Sequence, residues 1–228
     1  MNNIKTTKLF LALINACMDL LSPVSCPVCK KNLLKFPCPI CPACKTALLE
    51  SKIPPAVTTA YMSKIWSCFF YENIAKNCIH QFKYRQKPNM TAIFQLNIQH
   101  LLLTITPLLK NIDIIIPVPL HKTRKHFRGF NQTELIAKIL SKNLSIPIKP
   151  NILIKTKKTM PQVNLPRQER IINLKNCFCV QNSRIIHGKN ILIVDDVTTT
   201  GTTLNICAKE LITRGAKEIF GFTLAKTR

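Results

Sequence analysis

Residues 190–204 read Asn-Ile-Leu-Ile-Val-Asp-Asp-Val-Thr-Thr-Thr-Gly-Thr-Thr-Leu. The four apolar residues from Ile191 to Val194 predict a parallel strand that is covered on both faces. Asp195 and Asp196 come where this strand should end, which is the edge at which open α/β sheets bind ligands. A hydroxyl-rich turn and a helical pattern follow. This order predicts a phosphorylated-sugar site, because helix N-termini bind phosphate and paired carboxylates accept hydrogen bonds from a vicinal diol.

The same stretch resembles the 5-phosphoribosyl-1-diphosphate (PRPP) motif of type I phosphoribosyltransferases. The resemblance implies that Asp195 and Asp196 hold the ribose hydroxyls and serve catalysis. It also implies a loop around the 5′-phosphate, built from Val197, Thr198, Thr199, Thr200, Gly201 and Thr202. The alternative interpretation is a buried strand that ends in an Asp-rich turn with an ordinary threonine cap.

A second apolar run, residues 113–118, ends abruptly at two prolines and is followed by basic residues. The prolines stiffen the exit of the predicted strand. Arginine binds phosphate oxygens in a bidentate manner, so the segment is a candidate for gripping a diphosphate. The candidate residues here are Pro119, Leu120, His121, Arg124 and Arg128. An exposed basic loop after an ordinary strand is the alternative.

The sequence Pro-Val-Pro-Leu-His at 117–121, with Arg-Gly-Phe-Asn-Gln at 128–132, resembles the ComF (GntX-like) family of phosphoribosyltransferase-domain proteins. Segments 71–84, 159–162 and 170–173 agree with that family's pattern. The resemblance implies PRPP bound with Mg²⁺, a role in natural competence and DNA uptake, and transfer of a phosphoribosyl group to an unidentified nitrogen acceptor. The rival interpretation is a non-catalytic protein that handles single-stranded DNA or binds a partner. Basic segment 155–170 is a candidate lid over the ligand.

Cysteines cluster near the N-terminus in two C-x-x-C pairs, Cys26 with Cys29 and Cys41 with Cys44. Four thiolates of this spacing predict a closed, structural zinc site. Cys38 forms a further C-x-x-C with Cys41, so a set in which Cys38 replaces Cys44 stays open from spacing alone. The family pattern favours Cys41 and Cys44. An odd total of 11 cysteines fits a reducing compartment better than a disulfide framework.

The 228-residue chain carries 33 basic and 10 acidic residues, a formal net charge of +23. Residues 121–170 hold twelve of the basic residues and only two acidic ones. Such a field attracts phosphates of nucleotides or of nucleic acid, although a solvated lysine-rich surface gives the same composition. The expected partners are PRPP, single-stranded DNA, competence or DNA-processing proteins, and a second copy in a homodimer.

A composition break at 51–55 divides the chain into an N-terminal helix and zinc module, 1–50, and a phosphoribosyltransferase-like domain, 51–228. The patterns predict strands at 65–71, 112–118, 152–155, 191–194 and 218–224, and helices at 72–84, 91–110, 134–143 and from 204 onward. This alternation predicts an α/β fold with a parallel sheet flanked by helices. The N-terminal apolar run is too short to span a bilayer and reads as a short amphipathic helix, so we expect a cytoplasmic protein without membrane insertion.

Overall fold

The computed structural model describes residues 25–26, 28–33, 39–84, 91–157 and 176–228. The predicted N-terminal helix, Cys38, the segments 159–162 and 170–173, and most of the candidate lid lie outside these residues. In chain order, the helices and strands are α1 (Pro42–Leu49), β1 (Val57–Thr59), β2 (Met62–Phe70), α2 (Asn73–Tyr84), α3 (Ala92–Ile105), β3 (Ile114–Pro117), α4 (Lys122–Arg128), α5 (Gln132–Leu144), β4 (Leu153–Lys155), β5 (Phe178–Val180), β6 (Asn190–Thr198), α6 (Thr202–Thr213) and β7 (Glu218–Lys226).

A five-stranded sheet in the order β1-β2-β7-β6-β3 forms the centre of the fold. The pairs β2–β7, β7–β6 and β6–β3 are parallel, whereas β1 joins the edge antiparallel to β2. The α/β architecture with a parallel sheet is therefore confirmed, with one antiparallel edge strand added. The carboxyl ends of β2, β7, β6 and β3 lie along one edge, which is where such sheets bind ligands.

Both faces of β6 are covered, as its unbroken apolar run predicts. Leu192 and Val194 belong to a cluster with residues of α2, α3 and α5. Ile191 and Ile193 belong to a second cluster with residues of α6, β4 and β5. Successive side chains of a strand point to opposite faces, so the run buries alternate residues in two different layers.

Three local predictions need correction. Strand β6 continues through Thr198 instead of ending at Val194, because β7 runs beside it as far as Lys226. Residues 122–128 form helix α4 instead of a loop; His121 Nδ1 accepts the Thr123 N–H at its start, and Gly129 closes its end with φ 75°. The strand at 153–155 pairs antiparallel with β5 in a separate two-stranded sheet, outside the parallel one.

Helix α3 is a core helix at the position where the sequence predicts one. It ends at Ile105, and Thr106–Leu109 continue as a 3₁₀ turn. By length and composition the stretch Ala92–Leu109 also passes as a bilayer-spanning segment, with mean hydropathy 1.3, but 44% of it is buried inside the fold. Among the described residues it is the one helical stretch that meets this test, and core helices of compact proteins commonly meet it too.

The cysteine-rich segment packs directly on the sheet domain. The Asn97 side-chain amide on α3 donates to the carbonyl of Leu48 at 3.0 Å. Leu33, Ile40 and Leu48 belong to the same hydrophobic cluster as the helical face of the sheet. The two parts therefore share one core, and the division at residue 50 stays a prediction.

Candidate functional site

Two carboxylates lie side by side near the carboxyl end of β6. Asp195 and Asp196 are both partly buried, and the Asp196 N–H donates to Asp195 Oδ1 at 2.8 Å. Lys83, in the last turn of α2, places its Nζ 3.0 Å from Asp196 Oδ1. The side chains of Lys83 and Asp196 are only 20% and 15% exposed, so this ion pair is largely shielded from water. The acid pair thus has a resident cation from a distant part of the sequence.

The surroundings of Lys83 decide its charge. Burial alone would lower the pKa of the Lys83 ammonium, but the charge and hydrogen bond of Asp196, with the charge of Asp195, raise it above its ordinary value. Gln132 on α5 donates from Nε2 to the Lys83 carbonyl at 3.3 Å. Lys83 therefore stays charged, and the hydrogen bond from Gln132 ties its backbone to α5.

Asp195 differs from its neighbour in its electrostatics. Burial and the adjacent Asp196 carboxylate raise the pKa of Asp195 to about 7, although the Asp196 N–H and the nearby lysines oppose this shift. Two adjacent carboxyl groups of this kind can share a proton near neutral pH. The pair can consequently accept hydrogen bonds from a diol and also keep one proton, which suits a neutral sugar.

A second lysine, Lys155 at the end of β4, lies near enough to Asp195 for the two charges to interact. Burial lowers the pKa of Lys155, the Arg124 guanidinium lowers it further, and the Asp195 carboxylate acts in the opposite direction. The Lys155 ammonium also lies 5.5 Å from the centre of the Phe178 ring. Arg124 of α4 therefore acts on Lys155 of β4, and Lys155 acts on Asp195, so the positive charge here suits a polyanionic ligand.

The predicted phosphate loop is a tight turn between β6 and α6. Val197 and Thr198 still belong to β6, Thr199 to Gly201 form the turn, and Thr202 is the first residue of α6. Gly201 has φ 74°, and a Cβ there would lie 3.2 Å from Thr59 Cγ2. Since glycine offers no side-chain cap, the helix presents backbone N–H groups and a hydroxyl pair, Thr200 Oγ1 and Thr202 Oγ1, 2.6 Å apart. Such a helix N-terminus suits an anion.

The candidate diphosphate-binding residues after β3 lie in two segments, the strand exit at 119–121 and helix α4. Val118 N–H donates to the Val194 carbonyl at 2.8 Å, so Pro119, Leu120 and His121 leave the sheet beside the acid pair and are partly exposed. Arg124 is close enough to Lys155 for its charge to lower the pKa of that lysine. Arg128 instead donates to Gln132 Oε1 at 3.2 Å, on the Lys83 side of the acid pair. The two arginines of the predicted diphosphate grip therefore have different neighbours.

The segment Asn131-Gln132-Thr133 is buried and ties the site together. Asn131 Nδ2 and Thr133 Oγ1 donate to the Val118 carbonyl at 3.2 and 2.7 Å. The three side chains are only 3%, 1% and 3% exposed, and buried polar groups of this kind depend on such partners. This part of the Arg-Gly-Phe-Asn-Gln pattern fixes the end of β3 and the backbone of Lys83, and so positions the groups around the acid pair.

The four predicted cysteine ligands come together. The Sγ atoms of Cys26, Cys29, Cys41 and Cys44 all lie within 4.8 Å of one another. The Cys29 and Cys41 sulfurs are 3.6 Å apart, close to the ~3.8 Å edge that a tetrahedron of ~2.3 Å zinc–sulfur bonds requires. The backbone N–H of Cys41 donates to Cys26 Sγ and that of Cys44 to Cys41 Sγ, both at 3.5 Å. This donor set fits a structural zinc ion.

The ionisation of these thiols also points to a cation. Burial opposes ionisation of Cys26, but backbone N–H groups from Cys29 and Cys41 outweigh it and lower the pKa of Cys26 to about 6. Burial and the surrounding cysteine sulfurs raise the pKa of Cys44 far above its ordinary value. Four thiols this close cannot all ionise without a divalent ion between them, which is the role of zinc in such sites.

Lys83, Lys155 and Gln132 are the site residues that the sequence patterns did not single out as binding groups. The weak signal for Lys83 is its place in the segment 71–84 that resembles the ComF pattern. Lys155 is the first residue of the candidate lid segment 155–170, and Gln132 lies in a quoted motif. No local pattern says that any of them reaches the end of β6, since strand order alone brings them there.

Comparison with known proteins agrees with this geometry. Residues 133–227 match the model of the phosphoribosyl transferase domain. Competence protein F of Haemophilus influenzae is 41% identical over 119 residues, which cover 52% of each protein. Competence protein ComFC of Bacillus subtilis is 26% identical over 204 residues, covering 89% of this chain and 78% of the relative. DNA utilization protein YhgH of Escherichia coli O157:H7 is 33% identical over 151 residues, covering 65% of this chain and 66% of the relative.

The match to competence protein F spans about half of that relative's length, 52%. The phosphoribosyl transferase domain, the relatives named for competence and DNA utilization, and the four-cysteine cluster agree with one another. They also agree with the parallel sheet and the PRPP-type motif at its edge. The chain belongs to the ComF family of phosphoribosyltransferase-domain proteins.

Proposed function

We propose that this protein binds PRPP at the carboxyl ends of β6 and β3 and acts in DNA uptake. The observation that carries the proposal is the acid pair Asp195–Asp196, with Lys83 Nζ 3.0 Å from Asp196 and with Lys155 close enough to interact with Asp195 by charge. The carboxylates suit the ribose diol, the turn at 199–202 suits the 5′-phosphate, and the cations suit the diphosphate.

Transfer of the phosphoribosyl group to a nitrogen acceptor is the reaction that this site would serve. The bond from C1 to the diphosphate oxygen breaks, diphosphate leaves with the electron pair, and the acceptor nitrogen bonds to C1 and releases its proton. Positive charge develops at C1 in the transition state, and the Asp195–Asp196 carboxylates lie where they can stabilise it. Arg124 and Lys155 stabilise the departing diphosphate by charge.

Mg²⁺ is expected to accompany PRPP, neutralising its diphosphate. Aspartate oxygens are ligands that Mg²⁺ accepts, but Asp196 is already paired with Lys83 at 3.0 Å. The residues therefore fit an ion held mainly by oxygens of the ligand and by water. Asp195 is the carboxylate best placed to add a protein contact.

Calorimetric titration with PRPP, in the presence and absence of Mg²⁺, tests the binding proposal. Wild-type protein should release heat, and the double variant Asp195→Asn/Asp196→Asn should not. Asp113→Asn is a matched control, because Asp113 lies at the opposite end of the strands beside Lys189 and Asn190. No heat from correctly folded wild-type protein would contradict PRPP binding, and diphosphate release with candidate acceptors would establish turnover.

Handling of single-stranded DNA without catalysis is the second candidate, and helix α4 favours it. Phe127 is 75% exposed on a helix that also carries Lys122, Arg124, Lys125 and Arg128. Exposed aromatic rings among basic residues are typical of single-strand binding surfaces, because bases stack on the rings and the cations contact phosphates. The cytoplasm is the compartment we propose for either activity.

Salt titration of wild-type protein and of an alanine variant tests this candidate. Affinity for single-stranded DNA should fall steeply as salt rises, since phosphate contacts release counterions. Replacing Arg124, Lys125 and Arg128 with alanine should weaken binding and flatten the salt dependence. Affinity that does not respond to salt in the wild-type protein would count against the DNA-handling role.

A further inference from the structure

A groove separate from the acid pair lies between the cysteine-rich segment and the sheet domain. It has a volume of about 650 Å³ and is lined by Ala47 and Ser51 on one side and by Phe70, Asn77 and Arg228 on the other. Phe70 is the last residue of β2, and Asn77 lies in the second turn of α2. We call this the α1–α2 groove. Its volume is sufficient for a planar heteroaromatic ring with its sugar.

The groove contains a preformed stacking surface. The Arg228 guanidinium carbon lies 5.1 Å from the centre of the Phe70 ring. Arg228 Nη2 also donates to Glu72 Oε1 at 3.0 Å, in an ion pair at the exposed rim of the groove. Nucleobases stack on aromatic rings and on guanidinium planes in the same manner, and each such contact contributes substantially to the affinity of single-strand binding proteins.

Polar groups at the rim match the edge of a base. Asn73 and Asn77 are both exposed near the start of α2, and both line the groove. Each amide offers a donor and an acceptor, and the Glu72 carboxylate adds further acceptors. Lys52 lies on the opposite wall, where its charge suits a phosphate. The groove therefore combines four features that suit a nucleotide: apolar walls, a stacking surface, side-chain amides and a cation.

The position of the groove relates it to the proposed phosphosugar site. Helix α2 begins at the groove and reaches the acid pair with Lys83, and six residues of helix from Asn77 to Lys83 span about 9 Å. Strand β7 alone separates β2 from β6, so the two strand ends lie roughly 10 Å apart on one edge of the sheet. A base in the groove and a ligand at Asp196 can therefore be bound at the same time.

We propose that the α1–α2 groove is a nucleobase-binding site, formed by the Phe70–Arg228 stack and the amides of α2. The base comes either from single-stranded DNA or from a free nucleotide, and the chemistry of recognition is the same. Only the simultaneous binding of a base and of PRPP rests on the proposed function. Binding of a base in the groove requires no PRPP.

The experiment measures fluorescence anisotropy of a labelled oligothymidylate and of an abasic oligomer of the same length, with the full chain and without PRPP. Wild-type protein should bind the oligothymidylate at least about fivefold more tightly, since the two probes share the sugar–phosphate backbone and differ only in the bases. Asn77→Leu and Phe70→Leu should remove this difference and leave the abasic affinity unchanged. Gln95→Leu, an exposed amide on α3 outside the groove, is the matched control and should behave as wild type.

Competition with thymidine monophosphate distinguishes the two sources of the base. Competition that Asn77→Leu abolishes identifies a free-nucleotide site, whereas base-dependent oligomer binding without competition identifies a site for strands. Both results support the groove. Equal affinity of wild-type protein for the two oligomers, or an unchanged preference in both folded variants, would overturn the inference. None of these readings depends on whether PRPP binds.

Discussion

Replacing Lys83 with methionine removes the cation at the acid pair and keeps most of the aliphatic side chain. The Lys83 Nζ and Asp196 Oδ1 atoms are 3.0 Å apart, and both side chains are at least four-fifths buried. At an effective dielectric constant of about 20, the attraction across this distance is on the order of 5 kcal/mol. Part of that attraction offsets the cost of taking both charges out of water, so the ion pair stabilises the folded state by less than this amount.

The variant leaves two adjacent carboxyl groups without their cation. Breaking a buried pair on one side typically costs about 3–5 kcal/mol, and residual exposure to water favours the lower end, about 3 kcal/mol at pH 8. At pH 5 the carboxyl groups can take up a proton, so the loss should be smaller. The expected result is therefore a loss of unfolding free energy that grows as pH rises from 5 to 8.

Urea denaturation at the two pH values measures this loss. Trp66 is the single tryptophan, is buried and stacks on Phe220 at 5.9 Å, so its fluorescence reports on the core. Lys76→Met, on an exposed face of the same helix, controls for loss of a lysine as such. Asp196→Asn in the Lys83→Met background should recover much of the stability. Equal unfolding free energies of the Lys83→Met and Lys76→Met variants at both pH values would contradict this prediction.

Three further predictions concern the acid pair, the turn and the cysteine cluster. The pKa of Asp195 is raised to about 7 in the folded protein. Between pH 4 and 7, the Asp195 carboxyl group is therefore protonated in the folded state and ionised in the unfolded state. Stability contributed by this group therefore falls as pH rises through that window, and Asp195→Asn should raise the melting temperature at pH 8 with little effect at pH 4. Gly201→Ala should cost about 1–2 kcal/mol from its left-handed φ, with a further loss from crowding against Thr59, as measured by chemical denaturation. Cys44→Ala should reduce bound zinc, measured by metal analysis, from about one ion per chain to nearly none and lower the melting temperature.

Each of these variants has a contrasting partner in the chain. A backbone N–H from Asn190 lowers the pKa of Asp113, so Asp113→Asn should destabilise the protein at neutral pH, opposite to the Asp195 variant. Gly188 has φ 69°, but a Cβ at this position would meet no atom within 4 Å, so Gly188→Ala isolates the backbone cost from crowding. Cys179 lies outside the cluster, and Cys179→Ala should keep its zinc. The same response from a variant and its partner would contradict the corresponding prediction.

The local parts of the site could be predicted from the sequence because their signals lie within short stretches. The apolar run before Asp195 marks a doubly covered strand, and the residues that follow mark the turn and the start of a helix. The spacing of Cys26, Cys29, Cys41 and Cys44 likewise predicts the cluster that the structure brings together. Helix α4 escaped prediction, since seven mostly polar residues carry no apolar periodicity and only the caps at His121 and Gly129 define it.

Tertiary structure alone decided which charges meet. Lys83 and Asp196 are 113 positions apart, and their ion pair depends on the strand order β2-β7-β6-β3, which carries α2 to the end of β6. Lys155 lies on a small separate sheet and acts on Asp195 by charge, and Gln132 holds the Lys83 backbone across a buried contact. Sequence patterns report a residue's own strand or helix and the face it buries, whereas an ion pair between distant elements depends on how the layers pack. Short stretches of sequence therefore define the acid pair, the turn at 199–201 and the cysteine cluster, and the packing of the layers sets their electrostatic partners.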